Sequence, residues 1–464
     1  MGADTKGSAS ISSTPGALPA RRLALPIFLA TLGTFFEWYD FFVAALAATL
    51  AWPAVFFPTY SPVAALAASV SAYAATFFAR PIAAFIFGHV GDRMGRRTTL
   101  FTTMATMAVA MFGIAFVPPY ASIGFAAPVL VAIFRFIMGF GLGGEFQSAI
   151  SFVSELVPGR RRRAAVTSLP QLMALAGQSV GAFAFLAVLP LAHAAAYSYW
   201  WWRIPFMIGG IVVVVGAIIQ YRVLESPLFS ALRARGGIAR WPSFGVFRKY
   251  WREIVLLTFI GTFFVAVGNI TLMPLGIPYL AAHGIVPPWN TIVVGIATAV
   301  DIPIALLFAL WTDASRYSKW PMLTVLIGGI ALTYPFFLAV NTGSFLYALI
   351  AAIIYSAFFF SGNGVAPYFM ARSFPTEFRV SGVGLSYQIG SIYTGLFLTF
   401  APSYIYMISH GVANSWPYMG AAAIAFLIAG LVAFLLLLRI TKGPSELDAA
   451  HVGAPGAGPA GNTN

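Results

Sequence analysis

The sequence contains no cysteine and little charge. Without cysteine there are no disulfides and no thiol nucleophile. Only 8% of the 464 residues are charged, too few to cover a hydrophilic exterior, since soluble domains carry roughly 25%. Histidine is also scarce. His89, His193, His283, His410 and His451 fall at the ends of apolar stretches, in loops or in the tail. With no buried histidine and no HExxH pattern, an intramembrane enzyme lacks a base and metal ligands. No cofactor or metal is expected.

Apolar sequence is abundant, at 60% of residues. Stretches of helical length fall at 23–51, 62–88, 98–117, 126–157, 164–190, 203–223, 253–281, 289–311, 319–340, 343–372, 379–408 and 415–439. A bilayer core of about 30 Å needs about 20 residues of helix. The reading is an all-α integral membrane protein with twelve transmembrane helices in two pseudo-symmetric six-helix bundles. The partners implied are the lipid bilayer and a small solute. The net charge of +13 does not signal nucleic acid, because the basic residues cluster in short gaps between apolar stretches.

Those gaps alternate. One set holds Arg93, Arg96 and Arg97, then Arg160 to Arg163, the 224–252 stretch, Arg316 with Lys319, and Arg372 with Arg379. The other set has Arg203 alone at its edge. Basic loops stay in the cytoplasm, so both termini are expected there, in a bacterial inner membrane. Arg21-Arg22 superficially suggests a twin-arginine signal, but the apolar stretch that follows is too long and contains two acids. Residues 1–20 and 443–464 read as disordered tails rich in Gly, Ala, Ser, Thr and Pro.

The hydrophilic stretch 224–252 divides the spans six and six, giving bundles at 21–223 and 253–442. "LVPGRRRRAAVTSLPQ" from Leu156 echoes "SFPTEFRVSGVGLSYQ" from Ser373, pairing Pro158 with Pro375 and Gln171 with Gln388. Duplicated halves are a secondary-transporter arrangement, with the solute held near mid-membrane between them.

"GHVGDRMGRR" joins spans two and three, with Gly88, Gly91, Asp92, Arg93, Gly95, Arg96 and Arg97. Glycine permits a tight reversal, and Asp92 can accept bonds from an exposed helix N-terminus. This stretch resembles the signature G-x-x-x-D-[RK]-x-G-[RK]-[RK] of the major facilitator superfamily, in which it acts as a conformational latch. The loop after span eight, "ALWTDASRYSK", keeps Asp313 but has lost the glycine and most bases. A symmetric latch is therefore left open. Arg379 is grouped with this gating set.

"FFEWYDFF", "GFGLGGEF", "WWRIPF", "LESP" and "FPTEFRVSG" resemble the metabolite:proton symporter branch of that superfamily. The resemblance implies alternating access and carriage of organic acids such as citrate, oxoglutarate and shikimate, or of osmolytes such as proline and betaine. "GFGLGG" also satisfies G-x-G-x-x-G, but no strand or soluble βαβ unit surrounds it, so close helix packing is the better account.

Six charges lie well inside spans: Glu37, Asp40, Glu145, Asp301, Arg80 and Arg135. Each costs about 2.5–3.5 kcal/mol on insertion scales, so an intramembrane charge calls for a function or an ion pair. Glu37 and Asp40 are three apart and share a helix face. At about 1.5 Å per residue Glu37 lies roughly 21 Å into its span, near the midplane, with Glu145 at similar depth. Glu37, Asp40 and Glu145 are the expected proton carriers. Arg135 can pair with Asp40 or grip a substrate carboxylate. Arg80 is either an anion ligand or a base paired with Glu37 or Glu145.

Trp38 and Tyr39 point elsewhere on that helix, although Tyr39 is kept among the substrate-side residues. The C-terminal half offers neutral groups: Asn269, Asn363, Tyr387 and Gln388, with Gln171 facing them from the other half. The expected function is proton-coupled symport of a small organic anion with one or two carboxylates, by a monomer. An osmolyte symporter is the alternative, ahead of a sugar or drug facilitator or a channel.

Overall fold

A computed structural model describes residues 20–156, 163–193, 199–220, 242–315, 319–409 and 411–441, with 230, 233 and 234 besides. The expected tails, Pro158, Arg160 to Arg162, Arg222, the "LESP" stretch and Arg316 lie outside the described residues.

The long helices are α1 (Ala20–Leu50), α2 (Pro62–Met94), α3 (Arg96–Phe116), α4 (Ala126–Leu156), α5 (Leu169–Val188), α6 (Ile204–Gln220), α7 (Trp251–Thr271), α8 (Trp289–Ala314), α9 (Lys319–Asn341), α10 (Phe345–Arg372, interrupted at residues 360–361), α11 (Arg379–Ser409) and α12 (Trp416–Ile440). Ten helical segments among the described residues are long and apolar enough to cross a membrane, and Ile204–Ile219 is a shorter apolar helix. Hydrogen bonding within each helix satisfies the backbone, which a bilayer demands. Large apolar side chains such as Ile82, Val109, Phe116, Ile133 and Leu307 stand exposed on the outer faces. In a soluble protein such surface would aggregate; in a bilayer it is the solvent-matched exterior.

Local sequence sets several boundaries. Ser61 caps α2, its hydroxyl accepting from the Ala64 amide at 3.4 Å, with Pro62 in the first turn, where no amide donor is needed. The motif read as a loop is mostly helical: α2 continues through Gly88, Gly91 and Asp92 to Met94. Only Gly95 makes the reversal, at φ 112°, a backbone state that side-chain-bearing residues avoid. Gly88 and Gly91 instead let α2 press against Ser381 and Val380 of α11. Within the 224–252 stretch, Pro242–Lys249 forms a helix that leads into α7.

Packing repeats between the halves. The pairs α1–α5, α2–α4 and α3–α6 recur as α7–α11, α8–α10 and α9–α12. The halves meet along α2–α11 and α5–α8, which exchange roles under the same pseudo-symmetry. In α4, Gly139 and Gly143 let its backbone approach the Thr76 and Arg80 carbonyls of α2, as the small-residue run predicts.

Candidate functional site

The Glu37 and Asp40 side chains leave α1 toward two different partners. Arg80 on α2 donates from Nη2 to Glu37 Oε1 at 3.2 Å. Arg135 on α4 donates from Nη1 to Asp40 Oδ2 at 2.6 Å. All four side chains are buried to within 1% of complete. Burying an unpaired charge is far costlier than burying a pair, so the two ion pairs account for how the chain tolerates these residues. Of the two acids that Arg80 could meet, it pairs with Glu37 and not with Glu145.

Aromatic rings complete the enclosure. Arg80 lies 5.7 Å from the Phe41 ring centre and 5.5 Å from that of Phe77, and Arg135 lies 5.3 Å from that of Tyr73. These are cation–π distances. The Arg135 fork is only partly used. Its Nε and Nη2 meet no hydrogen-bond acceptor among the described residues. Those two donors form one edge of the guanidinium, the edge that matches a carboxylate bidentately.

Glu145 is different. Thr103 on α3 donates to its Oε2 at 2.8 Å, while Oε1 has no hydrogen-bond partner. Among the described residues no cation pairs with it. Its carboxylate presses against Gly33 of α1, where an added Cβ would overlap Oε1. Gly33 is one turn before Glu37, so both glutamates meet α1 at adjacent turns. The site thus holds three acids and two arginines.

Three of the expected C-terminal residues, Tyr387, Gln388 and Asn269, contact the N-terminal half. Tyr387 stacks on Phe146 of α4, ring centres 3.9 Å apart, and its hydroxyl and the Gln171 amide of α5 are both buried without a hydrogen-bond partner among the described residues. Gln388 donates from Nε2 to the Leu142 carbonyl at 3.2 Å. Asn269 Oδ1 accepts from the Tyr73 hydroxyl at 3.4 Å, bridging the halves. Asn363 is buried in α10 just past its break, with Oδ1 unpartnered. Tyr39 is not brought here: its hydroxyl donates to the Pro205 carbonyl of α6, inside the N-terminal half. Trp38 packs on Phe41. Sequence reading missed Gly33, Tyr73, Thr103 and Phe77. None carries charge, so none stands out from an apolar background.

At the end bearing the arginine-rich loops, Asp92 Oδ2 accepts from the Ser381 amide at 2.9 Å and its hydroxyl at 2.7 Å, while Oδ1 accepts from the Val380 amide at 3.3 Å. The acid at the end of α2 therefore caps the N-terminus of α11, where the helix dipole favours negative charge. The other seam repeats this. Asp313, at the end of α8, accepts from the Ala164 and Ala165 amides at 2.8 and 2.9 Å. The two-fold arrangement left open by the sequence is thus present in geometry despite the lost glycine and bases. Arg379 adds a pair to Glu155 at 3.3 Å. Arg93 is exposed, and Arg97 is half-buried at the start of α3. Ser243, on the helix joining the halves, donates to the Phe85 carbonyl at 3.0 Å and lies 3.2 Å from the Ser381 hydroxyl.

The sequence model of the Major Facilitator Superfamily matches residues 28–397. The chain belongs to that superfamily. The inner membrane metabolite transport protein YhjE of Escherichia coli K12 is 31% identical over 421 residues, covering 88% of this chain and 92% of its own. The proline/betaine transporter of the same strain is 29% identical over 431 residues, covering 88% and 83%. The proton:xylose symporter XylE bound to 6-bromo-6-deoxy-D-glucose superposes with a TM-score of 0.67 at 20% identity, covering 92% of this chain and 98% of that one. That likeness speaks to the twelve-helix fold. This facilitator-superfamily protein is accordingly a multi-pass membrane transporter of small molecules and not an enzyme.

Proposed function

We propose that this transporter is a proton-coupled symporter of a small organic acid bearing one or two carboxylates, working as a monomer with both termini in the cytoplasm. The supporting observation is the half-used Arg135 fork, buried beside Asp40 with Nε and Nη2 unpartnered. Protonating Asp40 or Glu37 frees its arginine for the substrate carboxylate. It also removes a charge that would otherwise stay unpaired in low dielectric. The latch at the basic end then opens or closes around a site of nearly balanced charge.

A second reading follows from the excess of acids. Among the described residues Glu145 lacks a cation, and the rings of Phe41, Tyr73 and Phe77 suit a quaternary ammonium. A zwitterionic osmolyte would use both features, and one relative is named a proline/betaine transporter.

Uptake of labelled oxoglutarate, shikimate and betaine into proteoliposomes, with and without an inward proton gradient, separates the two. Arg135→Lys keeps a positive charge for Asp40 but loses the bidentate edge. For a carboxylate substrate it should raise KM at least tenfold, about 1.4 kcal/mol. Full gradient-driven uptake by both Glu37→Gln and Asp40→Asn would sink the proton-coupling reading.

A further inference from the structure

The fourth membrane acid, Asp301, takes no part in the central pairs. It sits on α8 in the C-terminal half, fully buried. Its Oδ2 has no hydrogen-bond partner, and it forms no ion pair among the described residues. Its one hydrogen bond among the described residues is to Ser356 on α10, whose hydroxyl lies 3.0 Å from Oδ1.

Among the described residues, no other charge on the elements packed against α8 reaches that level. α5 contributes no titratable side chain. Arg163, Lys319 and Arg372 lie at the basic end, with Asp313. The remaining titratable groups on these neighbours are tyrosines, of which Tyr355 adjoins Ser356 and directs its hydroxyl to Thr333 at 3.2 Å. An isolated carboxylate in such surroundings is costly, and a carboxylic acid is not.

Ser356 is built to serve both forms. Its hydroxyl carries one proton and has two acceptors in reach, Asp301 Oδ1 at 3.0 Å and the Ile353 carbonyl at 3.3 Å. Facing a carboxylate, it donates to Oδ1. Facing a carboxylic acid, it accepts the acid's O–H and turns its own proton to Ile353. Neither state strands a donor.

The surroundings are jointed. Thr298, one turn before Asp301, meets Ser179 of α5 across the two halves at 3.1 Å. Pro303, two residues after, withholds an amide from the α8 ladder. The α10 helix breaks at residues 360–361, one turn beyond Ser356. Parting α5 from α8 breaks the Thr298–Ser179 contact and so disturbs the element that carries Asp301 one turn away.

We propose that Asp301 and Ser356 form a second proton-binding site, set in the C-terminal half and loaded or unloaded as α5 and α8 separate. This rests on the symport reading for its use, but its existence can be tested apart from it. The pH-difference infrared spectrum of the protein in lipid vesicles should contain a carboxylic C=O band that Asp301→Asn removes and Ser356→Ala shifts in frequency. A spectrum unchanged by both variants overturns the site while leaving symport standing.

In proteoliposomes held at zero membrane potential, Asp301→Asn should carry one proton fewer per oxoglutarate or betaine. Under a one-unit pH gradient its steady-state accumulation then falls about tenfold, while exchange of labelled for unlabelled solute persists. An unaltered proton-to-solute ratio overturns the coupling. Uptake driven by a sodium gradient in the parent and lost in Asp301→Asn overturns the proton in favour of a metal cation. A parent indifferent to the pH gradient sinks the symport reading instead, and the infrared band then decides the site by itself.

Discussion

At the scale of single residues, the site is organised by which acids have an arginine and which do not. Glu37 and Asp40 each own one, and Glu145 is held by a threonine and by the space over Gly33. That space makes a sharp prediction. Gly33→Ala places a methyl where the Glu145 carboxylate lies, so the glutamate must leave its pocket or α1 must shift. Overpacking of this kind typically costs about 1–3 kcal/mol. Thermal melting in detergent should fall accordingly, and uptake should drop with it. Adding Glu145→Ala to Gly33→Ala should recover most of the melting temperature without recovering uptake. If the double variant melts no higher than Gly33→Ala alone, the contact is not the cause. The charges themselves were legible from the sequence because charge is rare in apolar stretches. The Arg135–Asp40 pair was foreseen as one option, but Arg80 had two acids within reach and one-dimensional spacing cannot choose between them. Gly33 was invisible for the opposite reason: a glycine in a membrane helix has many ordinary uses.

At the scale of helices, the capping carboxylate is one device used twice. A carboxylate at the end of α2 or α8 caps the N-terminus of a helix in the other half. The copy at Asp92 was legible from its motif. The copy at Asp313 reads as decayed because its glycine and most of its bases are gone, yet the cap needs only the acid and two free amides. Glycine at 88 and 91 serves close approach of α2 to α11, and the α8–α5 seam does not repeat that demand. Asp92→Asn and Asp313→Asn should therefore act alike. A hydrogen bond to a charged group contributes about 1.5–3 kcal/mol, so each variant should shift the population toward an open basic end by roughly tenfold or more. The measurement is the rate at which a cysteine placed at Val380 reacts with a membrane-impermeant maleimide. Acceleration by Asp92→Asn at that position, and by Asp313→Asn for a cysteine at Ala165, is expected. A fast rate for one seam and none for the other would show that only one copy holds.

At the scale of the whole molecule, two bundles with matching internal contacts meet along two seams, α2–α11 and α5–α8. At the basic end both seams are closed by the capping acids, so a solute can leave or enter there only if at least one of them parts, and a rocking of the two bundles would part α2 from α11. The absence of cysteine from the sequence makes this directly testable, because an introduced pair is the only pair. A Cβ at Gly91 would lie 3.6 Å from that of Val380, within the roughly 3.5–4.5 Å that a disulfide spans. Replacing Val380 also removes the methyl that crowds Gly91. The Gly91→Cys, Val380→Cys protein should transport when reduced and lose at least nine-tenths of its uptake when oxidised, with recovery on adding a thiol reductant. The cysteine-free parent should ignore both treatments. Undiminished uptake with the cross-link complete, judged by mobility after proteolysis between the halves, would mean that the α2–α11 seam stays shut throughout the cycle. Solute would then have to pass by way of α5 and α8 alone, and the rocking of one bundle against the other would have to be abandoned for a hinge confined to that seam.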